Sequence, residues 1–377
     1  MPRPDRPYNF SAGPAILPAA VFARTAAAVE KLDIPGDEAL EAQLSILEIS
    51  HRSATYDAIH QEATALCHEV IGIPDTHKVL FLQGGASLQF CMVPMNLRAA
   101  GKKACYVNTG AWSDKAIKES QMLGETEVIA SSKDSGHNHI PAMPDAATYA
   151  GASYVHVTSN NTIFGTQWSA LPKLAGDVPL VVDLSSDIAS RPMALENVAI
   201  GYAGAQKNLG PSGLTVAFVR KDLLSRELEG VVPTLLRYRT HADKDSMFNT
   251  PNTFGIMVLR NVLSWVRDAG GVEAAATRNQ AKADKLYGVI DASDRYQAHA
   301  VQGSRSRMNV TWTLAGGTDD ENAAATKRFI AEAAAAGLSG LKGHRSVGGC
   351  RASIYNAFPQ EGVDALCDFM TRFDHAG

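Results

Sequence analysis

Nowhere in these 377 residues do about 18 apolar side chains run together, so no helix is expected to span a bilayer. There is no cationic excess either. Thirty-five Lys and Arg against 39 Asp and Glu leave a net charge of −4, which gives no electrostatic case for binding nucleic acid or an anionic membrane. Cysteine is scarce: Cys67, Cys91, Cys105, Cys350 and Cys367, with no C-x-x-C pair. An odd, scattered set reads as reduced thiols of a cytoplasmic protein rather than a disulfide framework. His137 and His139 have no Cys, Asp or Glu at ligand spacing, so they read as loop residues and no metal is expected. The polar, Pro-rich Met1–Pro7 lacks the apolar core of a signal peptide. Internal repeats and low-complexity tracts are absent. So are the P-loop pattern and a proper G-x-G-x-x-G, which disfavours a nucleotide or dinucleotide fold.

What is present is alternation. Helical spacing runs over Pro18–Lys31 and Thr55–Ile71, the latter stopped by Gly72 and Pro74. Short apolar runs follow at Lys78–Leu82, Lys103–Val107, Tyr154–Thr158, Leu180–Asp183 and Thr215–Val219, with helical patterns at Ser87–Asn96 and from Ser113. Strands interleaved with helices predict a largely parallel sheet covered on both faces, with ligands beyond the strand C-terminal ends. After Asn261 the pattern changes. Helices are expected over Thr253–Ala269, Val272–Ala292, Asp320–Ala336 and Val363–Phe373, with strands at Met308–Leu314 and Arg351–Tyr355. This is a smaller α+β unit of domain size. The expected division is 1–15 as an N-terminal segment, 16–261 as a large domain and 262–377 as a small one.

One lysine stands in an unusual setting. Lys207 lies in Tyr202-Ala-Gly-Ala-Gln-Lys-Asn-Leu-Gly-Pro-Ser-Gly213, among small residues. A lysine that forms a Schiff base needs such a jacket, so that its amine is partly desolvated and can be neutral. Asp183 closes the apolar run Leu180-Val-Val. It either pairs with a protonated ring nitrogen or caps the next helix. Gln83-Gly-Gly-Ala-Ser87 marks a strand-to-helix turn whose Ala86 and Ser87 N–H groups point at any anion present, although many such turns hold no ligand. Trp112 either stacks on a flat cofactor or packs a helix N-terminus. Thr162 either bonds a phenolic oxygen or serves the turn. Two His-Arg pairs, His51-Arg52 and His344-Arg345, together with Arg351 form an anion-binding inventory, although each alone could be a surface ion pair.

These residues carry a resemblance. Asn9-Phe-Ser-Ala-Gly-Pro-Ala15, Glu48-Ile-Ser-His-Arg52, Asn108-Thr-Gly-Ala-Trp112, Asp183-Leu-Ser-Ser186, Gly204-Ala-Gln-Lys-Asn208, Phe248-Asn-Thr-Pro251 and Arg351-Ala-Ser-Ile-Tyr-Asn-Ala357 follow one another over nearly the whole chain. The chain resembles the class V branch of the fold-type I pyridoxal phosphate enzymes, and within it the phosphoserine aminotransferase family. The resemblance implies an α/β fold: a large domain with a mainly parallel seven-stranded sheet, a smaller C-terminal α+β domain, and an N-terminal segment packed with the latter.

It also implies roles. Lys207 would carry pyridoxal 5′-phosphate and shuttle the proton, Asp183 would pair with the pyridine nitrogen, Trp112 would stack on the ring and Thr162 would meet the phenolic oxygen. Ala86, Ser87 and Gln206 would hold the cofactor phosphate, with Asn249 and Thr250 reaching it from a second subunit of a homodimer. Arg351 would clamp the α-carboxylate. His51 and Arg52 of the second subunit, with His344 and Arg345, would bind the distal phosphate or carboxylate. The implied reaction moves an amino group between L-glutamate and 3-phosphohydroxypyruvate in L-serine biosynthesis. A further implied substrate is 3-hydroxy-2-oxo-4-phosphooxybutanoate, on the pyridoxine route. Ser87 stands where some members carry arginine, and Asn252 where a second proline is common.

Two rivals remain within the fold. A serine–pyruvate aminotransferase fits poorly with paired His-Arg segments, and a cysteine desulfurase needs a mobile cysteine, for which Cys350 beside Arg351 is badly placed. A non-catalytic scaffold would have no use for Lys207 and Asp183.

Overall fold

The computed structural model describes residues 6–32 and 39–375. The first five residues of the expected N-terminal segment, and most of its polar Met1–Pro7 stretch, lie outside the described residues.

Along the chain come β1 (Tyr8–Asn9), α1 (Ala19–Glu30), α2 (Ala54–Ile71), β2 (His77–Leu82), α3 (Gly85–Leu97), β3 (Ala104–Asn108), α4 (Ala111–Leu123) and β4 (Thr126–Ser131). The short α5 (Ala146–Tyr149) leads to β5 (Val155–Thr158), β6 (Asn160–Asn161), β7 (Thr166–Gln167), β8 (Leu180–Asp183), β9 (Val198–Gly204) and β10 (Thr215–Arg220). Then follow α6 (Tyr238–Ala242), α7 (Thr253–Asp268), α8 (Gly271–Asp291), β11 (Tyr296–Ala298), β12 (Asn309–Leu314), α9 (Asp319–Ala335), β13 (Leu338–Ser339), β14 (Cys350–Ser353) and α10 (Gln360–His375).

Seven strands form the central sheet in the order β2-β10-β9-β8-β5-β3-β4. Only β10 runs antiparallel to its neighbours; the remaining pairs are parallel. Apolar cores cover both faces. One holds Val107, Val157, Val182 and Val216, and the other holds Tyr106, Val181, Tyr202 and Ala217. Continuous burial on both faces explains why these strands read as unbroken apolar runs.

Two strands lack that signature and are not evident from the sequence. β4 is an edge strand whose residues are only half-buried. β9 is fully buried but built largely of small residues. A Cβ at its Gly201 would come within 2.1 Å of the Phe218 ring, so the residue must be glycine for β9 and β10 to pair.

The C-terminal part packs the antiparallel sheet β11-β12-β14 against α8, α9 and α10 around Trp312, Phe329, Phe369 and Phe373. β1 pairs in parallel with β13, and Phe10 joins that core. β14 ends at Ser353, two residues earlier than its pattern suggests. Residues 354–358 instead turn around the buried Lys282, whose Nζ donates to the carbonyls of Ile354, Tyr355 and Phe358 at 2.9, 2.6 and 3.1 Å. No described helix is long and apolar enough to cross a membrane.

Candidate active site

β2, β3, β5, β8 and β9 run the same way, so α3 and α4, which follow β2 and β3, begin at the edge of the sheet where β5, β8 and β9 end. Thr158 pairs with Asp183, and Asp183 with Tyr202, across three adjacent strands. Asp183 therefore sits at the edge of the sheet centre, 4% exposed. Its Oδ1 accepts from the Ser185 N–H at 2.9 Å, which settles the backbone just beyond the strand. Burial pushes its carboxyl above the usual range, while the Ser185 bonds and the Lys207 charge pull the other way. The capping alternative does not apply, because no helix begins at Asp183.

Lys207 projects from the turn that follows β9. Desolvation lowers its amine to about 8, against an ordinary 10.5; Asp183 opposes the fall, Arg351 adds to it, and Asp187 opposes it. The small residues of the segment have a clear use. Ala203 and Ala205 are fully buried, and a Cβ on Gly13 would already lie 3.5 Å from Gln206 Cγ and 3.6 Å from Lys207 Cγ. The Ala15 N–H bonds the Gln206 carbonyl at 2.8 Å, so the N-terminal segment is strapped over the lysine turn.

Trp112 lies in the first turn of α4. Gly110 precedes that helix with φ 134°, and a Cβ there would come 2.5 Å from Asn161 Nδ2 and 2.6 Å from the Phe164 ring. A glycine is thus required to turn β3 into α4 and aim Trp112 at Lys207. Lys207 Nζ is 5.4 Å from the Trp112 ring centroid, and Trp112 Nε1 donates to Thr162 Oγ1 at 3.0 Å. Arg351 Nη1 donates to the Thr162 carbonyl at 3.0 Å. One chain of contacts therefore links Lys207, Trp112, Thr162 and Arg351. Arg351 Nε is buried without a partner, and burial lowers this guanidinium below its ordinary value. A buried cation with an unspent donor is prepared for an anion.

His344 and Arg345 flank this group. Partial burial first, then Arg351, Arg345 and Lys115, hold the His344 imidazole below its usual range. Ala86 and Ser87 lie in the first turn of the 13-residue α3, where backbone N–H groups have no intrahelical acceptor. Ser87 is exposed and adds only a hydroxyl.

Four expected site residues are not part of this group. His51 and Arg52 occupy the turn before α2, where Ser53 caps that helix by accepting from Tyr56 N at 3.2 Å. Asn249 and Thr250 are exposed ahead of α7. Among the described residues, no hydrogen bond or ion pair joins these four to Lys207 or Arg351. Asn252 serves the backbone instead. Its Oδ1 accepts from Gly255 N at 2.9 Å and caps α7, while its Nδ2 donates to the Gly213 carbonyl at 3.0 Å.

The sequence reading missed Lys115 and Asp187. Lys115 Nζ is 4.6 Å from the Trp112 centroid, and its i,i+3 spacing from Trp112 on a helix was available as a signal. Asp187, fully buried, accepts from Gln167 Nε2 at 3.0 Å, contacts the Ser159 hydroxyl and faces Arg191 at 3.5 Å. Nothing in its spacing distinguishes it from an ordinary loop aspartate.

This donor set fits pyridoxal phosphate. It offers a desolvated amine, a buried carboxylate, an indole, and helix-start N–H groups for a phosphate. Among the described residues, no three His, Cys, Asp or Glu side chains gather as a metal site.

Comparison with known proteins agrees. The class-V aminotransferase family profile matches residues 7–366. A phosphoserine aminotransferase of Geobacillus kaustophilus is 52% identical over 369 residues, covering 98% of each chain. The solved phosphoserine aminotransferase of Bacillus circulans subsp. alkalophilus is 45% identical with TM-score 0.90, covering 99% of each chain. The pyridoxal-phosphate-bound enzyme of Trichomonas vaginalis is 34% identical with TM-score 0.88, over 97% of this chain and 100% of that one.

Proposed function

As a member of the class V aminotransferases, within their phosphoserine aminotransferase family, the chain is a pyridoxal-phosphate-dependent enzyme, and we propose that it exchanges an amino group between L-glutamate and 3-phosphohydroxypyruvate. The products are 2-oxoglutarate and O-phospho-L-serine, a step of L-serine biosynthesis. The observation that carries the reading is the contact chain from Lys207 through Trp112 and Thr162 to Arg351, with His344 and Arg345 beside it.

When bound, the pyridine ring supplies an electron sink for the substrate Cα. The side chains do the rest. Lys207, neutral above about pH 8 before the cofactor is loaded, holds the cofactor and moves the proton at Cα. Asp183 would keep a proton on the ring nitrogen. Trp112 would pack on the ring, Thr162 would hold its phenolic oxygen, and Ala86, Ser87 and Gln206 would take the phosphate. Arg351 binds the α-carboxylate common to all four reactants, because its fork matches a carboxylate bidentately. His344 and Arg345 receive the distal group, which is phosphate in one half-reaction and carboxylate in the other.

His51, Arg52, Asn249 and Thr250 complete the site of a second subunit in a homodimer. Their separation from the Lys207 group supports this, as do the exposed apolar neighbours Leu47 (65% exposed) and Phe248 (47% exposed). Five free thiols suit a reducing cytoplasm. 3-Hydroxy-2-oxo-4-phosphooxybutanoate carries the same two anionic ends and belongs in the substrate panel.

The test is turnover of 3-phosphohydroxypyruvate against plain hydroxypyruvate, with glutamate as donor. A large preference for the phosphorylated acid is expected, and equal turnover would refute the phosphate site.

A further inference from the structure

Three successive carbonyls beyond Asp183 are each bound by a different asparagine. Asn208 Nδ2 donates to Ile188 O at 3.1 Å, Asn356 Nδ2 to Ala189 O at 2.7 Å, and Asn279 Nδ2 to Ser190 O at 3.1 Å. The asparagines also bind one another. Asn279 Nδ2 donates to Asn356 Oδ1 at 2.8 Å, and the Asn356 N–H donates to Asn208 Oδ1 at 3.1 Å. All three are nearly inaccessible, at 4%, 1% and 6% exposed for Asn208, Asn279 and Asn356. Ala189, at the centre, has φ 56°, a left-handed conformation that a non-glycine residue adopts at a cost unless its surroundings enforce it.

The three come from separate parts of the fold. Asn208 follows Lys207 directly. Asn356 lies five residues beyond Arg351, in the turn whose carbonyls Lys282 binds. Asn279 lies on α8. The carbonyls they grip belong to the loop that starts at Asp183. Arg351 is carried by the three-stranded sheet and Lys207 by the seven-stranded one, so the two depend on contacts between those bodies for their separation. Small errors in such a separation are costly, because binding and proton transfer both need fixed geometry.

We propose that Asn356, with Asn208 and Asn279, is a positioning clamp that sets Arg351 relative to Lys207 and Asp183. The clamp rests on the assignment of Arg351 to the substrate carboxylate made above. Asn356 hydrogen-bonds Asn208, Asn279 and the Ala189 carbonyl, so it acts through the loop and the lysine turn. Its loss should displace the carboxylate clamp while leaving Lys207 able to hold the cofactor.

The experiment compares wild-type and Asn356→Ala holoenzymes. The visible absorbance of the bound cofactor should be unchanged. KM for glutamate and for the phosphorylated oxo acid should rise together by about tenfold, with kcat altered less than about threefold. The dissociation constant of succinate, an unreactive dicarboxylate read by its spectral shift, should rise by the same factor. Combining Asn208→Ala with Asn356→Ala should give less than the product of the single effects, because the two grip one loop. Unchanged KM values and an unchanged succinate constant, with only a lower melting temperature, would reduce the clamp to a structural feature and overturn the proposal. If Asn356→Ala yields no holoenzyme, Asn279→Ala carries the same expectations. Failure of the wild type to turn over the two substrates would sink the proposed function instead, and the succinate constants would still judge the clamp.

Discussion

Replacing Arg351 with methionine tests the centre of the site. Methionine keeps an unbranched stem but offers no donor. Arg351 spends one N–H on the Thr162 carbonyl at 3.0 Å and leaves Nε free in a buried setting. A carboxylate bound by that guanidinium would make charge-assisted, forked bonds, and truncating one side of such a pair costs about 2–5 kcal/mol. Taking about 3 kcal/mol, and about 1.4 kcal/mol for each factor of ten, the binding loss is about 150-fold. The freed Thr162 carbonyl adds a stability cost of about 1–3 kcal/mol if water cannot reach it. Steady-state kinetics with each substrate varied in turn is the assay. Because the α-carboxylate is shared, KM should rise by similar factors for glutamate and for the phosphorylated acid. Arg351→Lys should fall between, keeping charge but losing the fork. A rise confined to the phosphorylated acid would refute the reasoning, because it would put Arg351 at the phosphate instead.

Other expectations follow from the same geometry. Cofactor reloading of the stripped protein should accelerate with pH to a midpoint near 8, where Lys207 becomes neutral, and plateau above it; a midpoint near 10.5 would mean the amine is not desolvated. In Arg351→Met that midpoint should move upward, because the arginine charge helps hold the amine down. Asp183→Asn should lower kcat by about 10²–10³-fold with little change in KM, as expected for a charge that acts on the reacting state, and a raised KM with kcat unchanged would contradict that role. Asn252→Ala should cost about 1 kcal/mol through the lost cap of α7, read as a lower melting temperature with kinetics preserved.

Much of this fold can be read from residue pattern because its strands are buried on both faces and its helices are amphipathic. β8 and α7 appear as a run ending in Asp183 and a helix starting near Thr253. β9 escapes for a physical reason. It lies between β8 and β10, where Phe218 fills the space that a side chain on Gly201 would need, and the small residues Ala199, Gly201, Ala203 and Gly204 interrupt Val198, Ile200 and Tyr202 and dilute the strand signature. The site divides along a similar line. Lys207, Asp183, Trp112, Thr162 and Arg351 carry chemistry in their own residue types, several of them beside glycine turns. The asparagines around Ile188–Ser190 do not. Asn208, Asn279 and Asn356 are 148 residues apart at the extremes, and asparagine in a loop is ordinary turn chemistry. Only the fold turns them into one group.

That contrast bears on how the site achieves its charge. The chain is net negative, yet Arg351 lies close enough to both Lys207 and His344 to lower their proton affinity, and Arg345 adds to the effect on His344. Such a cluster repels itself and is held by its surroundings. Asp183 and Asp187 supply opposing charge from beneath, both buried and both destabilised by burial. The Asp183–Ser190 loop thus carries one carboxylate at its start and a second, Asp187, directly before the three carbonyls held by the asparagine clamp. The repulsion stored among the cations is released when an anion arrives, so a dianionic substrate stabilises the whole assembly. Phosphate or 2-oxoglutarate should therefore raise the melting temperature of the holoenzyme more than uncharged analogues do, by mass action on the folded state. Arg351→Met should lose most of that gain while its unliganded melting temperature changes less, and equal ligand stabilisation in the two proteins would show that Arg351 does not hold the anion.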